Sequence, residues 1–151
     1  MESSFSLRSY GWYGERAILN ARSNWENGWY DEAFIAYQHA IECLLKHLLS
    51  ESGCTDKVLL QSHKLLRLAK SVIDDISNED REVLKLLSQA YFQLRYPIED
   101  EIEYELETLA DKENKLMQQA DDIAVKILGL ARETLKTSSD IRNRISMISL
   151  E

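Results

Sequence analysis

Between positions 33 and 48, Ala33, Tyr37, Ala40, Ile41, Leu44, Leu45 and Leu48 recur at intervals of three and four. That spacing is the period of an α-helix with one broad apolar face, and a strand, whose side chains alternate, cannot bury it. The pattern predicts a helix over about 31–50, with Asp31 as its N-cap and Gly53 closing it after Ser52. The rest of the chain offers few places to break such helices, since it holds one proline and five glycines.

An earlier helix is expected from about Tyr10 to Trp25, with Tyr13, Ala17, Ala21 and Trp25 on one face and Gly28 as its break. Packed through Ala17, Ala21, Ala33 and Ala40, the two helices would approach closely. A third helix is expected over about 62–76, capped by Ser62 and burying Leu65, Leu66, Leu68, Ala69, Val72, Ile73 and Ile76. Ser77, Asn78, Glu79 and Asp80 read as a turn and a new N-terminus, with acids favourably placed against the helix dipole. The fourth helix carries Val83, Leu84, Leu87, Ala90, Tyr91 and Leu94 until Pro97 stops it. A last long helix is expected from about Asp111 to Lys136, with Leu116, Ala120, Ile123, Ala124, Ile127, Leu130, Ala131 and Leu135 inward. Thr137, Ser138 and Ser139 then suggest a loose tail or short helix to the end.

These elements predict an all-α fold, an up-and-down antiparallel bundle of about five helices. One domain over residues 1–136, followed by a tail over 137–151, suits a chain of 151 residues. Residues 98–110 fit neither period cleanly: Ile102, Tyr104 and Leu106 alternate with glutamates, while Ile98, Ile102, Leu106 and Leu109 also fit a helix. We read an acidic excursion between helices.

Charge narrows the partners. The net charge is −8, and residues 98–110 alone hold six acids and no Lys or Arg; without those acids, 18 basic residues face 20 acidic ones. The acidity is local. A duplex-DNA surface needs clustered cations and is not expected. Lys126, Arg132, Lys136, Arg142 and Arg144, interleaved with Glu133 and Asp140, read as a solvated helix face. No apolar run is long enough to cross a bilayer, and Met1 to Arg8 contain no apolar signal core, so no membrane association is expected and a cytoplasmic setting fits. Cys43 lies within an apolar helical pattern and reads as a reduced, buried thiol.

Chemistry-bearing motifs are sparse. The chain has no glycine-rich phosphate loop, no His-Glu-x-x-His and no Gly-x-Ser-x-Gly. His39 and His47 are eight residues apart on one helix, too far to share a metal, and neither a metal nor a cofactor is expected. Gln38, Glu42 and Lys46 follow at four-residue spacing beside the apolar face. They are either a polar stripe with a Glu-to-Lys pair or a row at the bundle rim that presents Lys46 to an anion. His63 stands at a predicted helix start, where backbone N–H groups favour anions or where the ring bonds nearby backbone. Arg95, Tyr96 and Pro97 close the fourth helix.

Three of these segments, in this order, resemble the HEPN domain family. They are Gln38, Ala40, Glu42 and Lys46 in a Gln-x-Ala-x-Glu-x-x-x-Lys helix, then Ser62, His63 and Leu65 in a Ser-His-x-Leu start, then Arg95, Tyr96 and Pro97. The last helix, with Ala120, Asp121 and Ala124, is similar to the family's closing helix, and the resemblance covers about residues 10–136. It implies a helical bundle, a homodimer and association with a minimal nucleotidyltransferase. Many HEPN proteins are metal-independent RNases in which an arginine is followed, after four to six residues, by a histidine. In such a site the arginine would stabilise phosphate charge and the histidine would handle protons. Here the positions after Arg95 hold Asp100, Glu101 and Ile102, and Arg142 is followed by no histidine either. Acids there would also repel an RNA backbone.

The reading that follows is a non-catalytic HEPN-like module that binds a nucleotide or a nucleotidyltransferase partner. Lys46, His63, Arg95 and Tyr96 are its expected ligand residues, supported by Gln38 and Glu42. Two other functions stay open: an RNA-cleaving toxin or defence protein, and a helical domain that only mediates protein contacts. A tetratricopeptide pair, suggested by residues 28–33 and by Tyr37 and Ala40, is disfavoured because no 34-residue period recurs.

Overall fold

A computed structural model describes residues 5–93 and 113–149, with side chains placed over 5–89 and 114–134. The described residues form helices and no strand: α1 (Tyr10–Glu26), α2 (Tyr30–Glu51), α3 (Lys57–Leu60), α4 (Leu65–Val72), α5 (Asn78–Gln93) and α6 (Glu113–Ser149). The all-α expectation holds, with the single turn α3 added to the helices read from the sequence. Residues 98–110, Arg95, Tyr96 and Pro97 lie outside the described residues.

Helix α2 is the axis of the packing and contacts α1, α4, α5 and α6. Residues 40–47 are buried without interruption, so the helix is covered on every side. Its apolar face is the expected one: Ala33, Tyr37, Ala40, Ile41, Leu44 and Leu45 are buried, and Leu48 is half-buried. The expected small-residue seam with α1 is also present, since Ala17, Ala21, Ala33 and Ala40 are all buried. Gly14 sets the closest approach, because a Cβ built there would stand 2.6 Å from Leu44 Cγ.

Several local expectations are revised. On α1, the inward face is Gly11, Gly14, Ala17, Ile18 and Ala21, which turns Tyr13 outward to 42% exposure. Gly14 lets Leu44 of α2 come near, and Gly11 makes room for the Phe5 ring. Asp31 is not the N-cap of α2; Trp29 occupies that position, and Asp31 and Glu32 lie in the first turn, where they complement the dipole. Helix α4 is shorter than predicted and Ser62 does not cap it. Its first N–H, on Leu65, donates instead to Ser88 Oγ of α5 at 3.0 Å, while Ser62 Oγ accepts from Lys64 N at 3.2 Å. At the far end Ile73 is extended, so the helix stops after Val72. Leu65, Leu68 and Ala69 are buried, and Leu66, Val72, Ile73 and Ile76 pack partly against the core.

The start of α5 matches its prediction: Ser77 Oγ accepts from Asp80 N at 3.1 Å, and Val83, Leu84 and Leu87 are buried. The final helix passes through Thr137, Ser138 and Ser139 without a break and continues to Ser149. It buries Met117, Ala120, Ile123, Ala124, Ile127, Leu128 and Ala131 against the core, while Leu130 is 37% exposed. No described helix is long and apolar enough to cross a membrane.

Candidate functional site

The polar row of α2 contains the expected Glu42–Lys46 pair, but the row is buried rather than set at the bundle rim. Gln38, Glu42 and Lys46 are buried, at 1%, 7% and 6% exposure. The four-residue spacing stacks them along one line of the helix, and His63, two residues before α4, meets that line at Glu42. Glu42 is the hub. Its Oε1 accepts from Gln38 Nε2 at 3.0 Å and meets His63 Nδ1 at 2.7 Å, while Oε2 accepts from Lys46 Nζ at 3.3 Å. Among the described residues, Gln38 Oε1 has no hydrogen-bond partner.

Four of the six candidate residues are thus brought together by one carboxylate, and Arg95 and Tyr96 lie outside the described residues. The geometry corrects the expectation for Lys46: its ammonium is committed to Glu42 rather than presented outward. It also corrects that for His63, which precedes α4 by two residues and is turned toward Glu42. The helix start that was to favour an anion already spends its first N–H on Ser88. What remains is a histidine fixed by a carboxylate. When Nδ1–H donates to Glu42, Nε2 becomes the acceptor nitrogen, and the His63 side chain is 40% exposed.

Helix α5 adds to this end of the bundle. Its Ser88 contacts the first residue of α4, and from there the helix runs on to Gln93. Arg95 and Tyr96 therefore follow in sequence from the helix that borders the His63 end.

The sequence reading missed a second polar cluster. Asp121 of α6 is 8% exposed and accepts from Arg22 Nε at 2.8 Å and Nη2 at 3.0 Å, a fork from α1. Tyr37 of α2 donates its hydroxyl to the same carboxylate at 2.6 Å. Burial pushes the Asp121 carboxyl up, but hydrogen bonds from Arg22 and Tyr37 and the arginine charge outweigh it and hold the group below its ordinary value. Burial first, then the hydrogen bond to Asp121, raises the Tyr37 phenol, so it stays protonated. The one sequence signal was an acid, Asp121, amid the inward positions Ala120, Ile123 and Ala124. Its partners stand on two other helices, far away in sequence.

Of the other two histidines, His47 serves packing. His47 is buried edge-to-face against Phe5, with ring centroids 5.2 Å apart, and burial lowers its pKa so that it is held neutral. His39 is exposed, and its ring nitrogens lie 3.7 and 3.9 Å from Cys43 Sγ. The Cys43 thiol is buried as expected and pushed up to about 12 by burial and the neighbouring Glu42, which keeps it protonated and unreactive. Among the described residues no group of three or more His, Cys, Asp or Glu side chains could hold a metal ion.

The family model described as HEPN domain matches residues 13–141. The chain belongs to the HEPN domain family. The match spans α1 to most of α6 and includes both polar clusters of this HEPN domain. No match was found among curated proteins or among solved structures. All three histidines, at 39, 47 and 63, precede Arg95, so this HEPN domain has no histidine after the arginine.

Proposed function

We propose that this HEPN domain performs no chemistry of its own and binds a nucleotide, or the nucleotide-handling face of a nucleotidyltransferase partner, at the His63 end of α2. The observation that supports this most is the convergence of Gln38, Lys46 and His63 on Glu42. Burying Lys46 and Glu42 together contributes little net stability compared with apolar residues of similar size, so the row earns an explanation other than folding. Glu42 orients His63, and Arg95 and Tyr96, which follow α5 in sequence, are the donor and ring that a phosphorylated ligand would use. Homodimerisation belongs to the same reading.

Titration calorimetry with each nucleoside triphosphate tests it. Heat is expected with the wild-type chain, and His63→Ala or Arg95→Ala is expected to weaken binding by about tenfold, a loss of roughly 1.4 kcal/mol. No heat for any of them would leave a domain that only mediates protein contacts.

One observation favours a second reading. The 2.7 Å contact between Glu42 and His63 is also how a carboxylate positions a general-base histidine. Incubation with RNA in chelator separates the two: cleavage abolished by His63→Ala would replace the binding module with a nuclease.

A further inference from the structure

On the outer side of α4 and α5 lies a groove of about 550 Å³ that neither polar cluster reaches. Lys64, Arg67 and Lys70 border it from the α4 side at intervals of three residues, and Lys85 borders it from α5. All four are exposed. Its wall is mainly apolar, made by Leu66 and by the aliphatic stems of the cations. No acid lines it. Lys85 meets Glu82 at 3.4 Å, an exposed pair, and among the described residues Lys64, Arg67 and Lys70 form no ion pair. In a chain of net charge −8, this is a local reversal of sign.

We infer that the α4–α5 groove docks an acidic amphipathic helix of a protein partner, its apolar face on Leu66 and the lysine stems and its acids against Lys64, Arg67, Lys70 and Lys85. An apolar floor with a charged rim is the form of a helix-in-groove site, in which the floor supplies affinity and the rim supplies orientation and on-rate. Single-stranded RNA would use the same cations differently. It needs ring faces on which bases stack, and none of the described residues lining this groove is aromatic. The charge therefore points to carboxylates on a folded partner rather than to a phosphate chain. This inference does not depend on a ligand at His63.

The test uses the full chain and a fluorescein-labelled peptide of about 18 residues, long enough for five helical turns, with leucines on one face and glutamates flanking them. Fluorescence anisotropy is expected to show binding that a scrambled peptide of the same composition lacks. Replacing the peptide's glutamates by glutamines, or making Arg67→Glu with Lys70→Glu in the protein, should each weaken binding by about tenfold, with the glutamate peptide also weakened by salt. Lys57→Glu, an exposed charge reversal outside the groove, should leave the affinity within about twofold. The peptide-side change keeps the test independent of protein folding. Equal binding of the scrambled peptide, or displacement of the peptide by an oligouridylate, overturns the proposal. So does a dimer that dissociates in the Arg67→Glu, Lys70→Glu variant, since the groove would then belong to a second copy of the chain.

Discussion

Glu42 and Asp121 are both buried acids that meet cations, yet they do different work. Asp121 takes its partners from two other helices, Arg22 of α1 and Tyr37 of α2. It is a clamp across three elements, and its arginine remains 45% exposed, so much of that charge is still solvated. Glu42 takes Gln38 and Lys46 from its own helix, where they would be neighbours whatever the tertiary fold. Among the described residues, only His63 comes from elsewhere. Here both charges are withdrawn from water, with side-chain exposures of 8% for Lys46 and 10% for Glu42. A cluster joining helices explains itself through packing. A buried charge row along one helix does not, which is why the candidate site is placed there.

The sharpest break of this comparison is Glu42→Ala. It strands the Lys46 ammonium in the bundle and should cost about 3 kcal/mol in urea unfolding. Adding Lys46→Met should recover most of that loss, because the uncompensated charge goes with it. A double variant as unstable as the single one would mean that the row is structural after all. Asp121→Ala comes next, at about 2 kcal/mol, since Arg22 can return to water and mainly the Tyr37 hydroxyl loses its partner. Combining it with Tyr37→Phe should cost less than the sum of the two single changes.

The smallest effect is in the pH dependence. The folded Asp121 carboxyl is held below its ordinary value of 3.8, so its contribution is complete above that value. As pH falls from 3.8 through the folded value, the unfolded chain takes up the proton first and the contribution is lost. Urea midpoints followed down through about pH 3 should therefore fall less steeply for Asp121→Asn than for the wild type. A parallel fall in both would remove Asp121 from the acid response.

The candidate site was partly legible because half of it is local. Gln38, Glu42 and Lys46 stand one turn apart, and their adjacency follows from helical period alone. Their burial did not follow: whether a polar line faces water depends on what packs over it, which period does not say. The same limit explains the revised face of α1. Tyr13 continues a four-residue apolar series, but Gly14 admits Leu44 more closely than any side chain there could, and the helix turns accordingly. At the start of α4, Ser62 was a sound local cap, displaced by the hydroxyl of Ser88 from a helix met later in the chain.

What the sequence determined by itself was the helical class, the central apolar face from Ala33 to Leu45, the alanine seam with the first helix and the family. All of these depend on short-range period and on residues near one another in the chain. Tertiary structure alone decided that Lys46 is turned inward to Glu42, that His63 closes over it, and that Asp121 clamps Arg22 and Tyr37. The contacts of His63 and Asp121 join residues whose separation carries no periodic signal. Their energies exist only once packing has removed the groups from water.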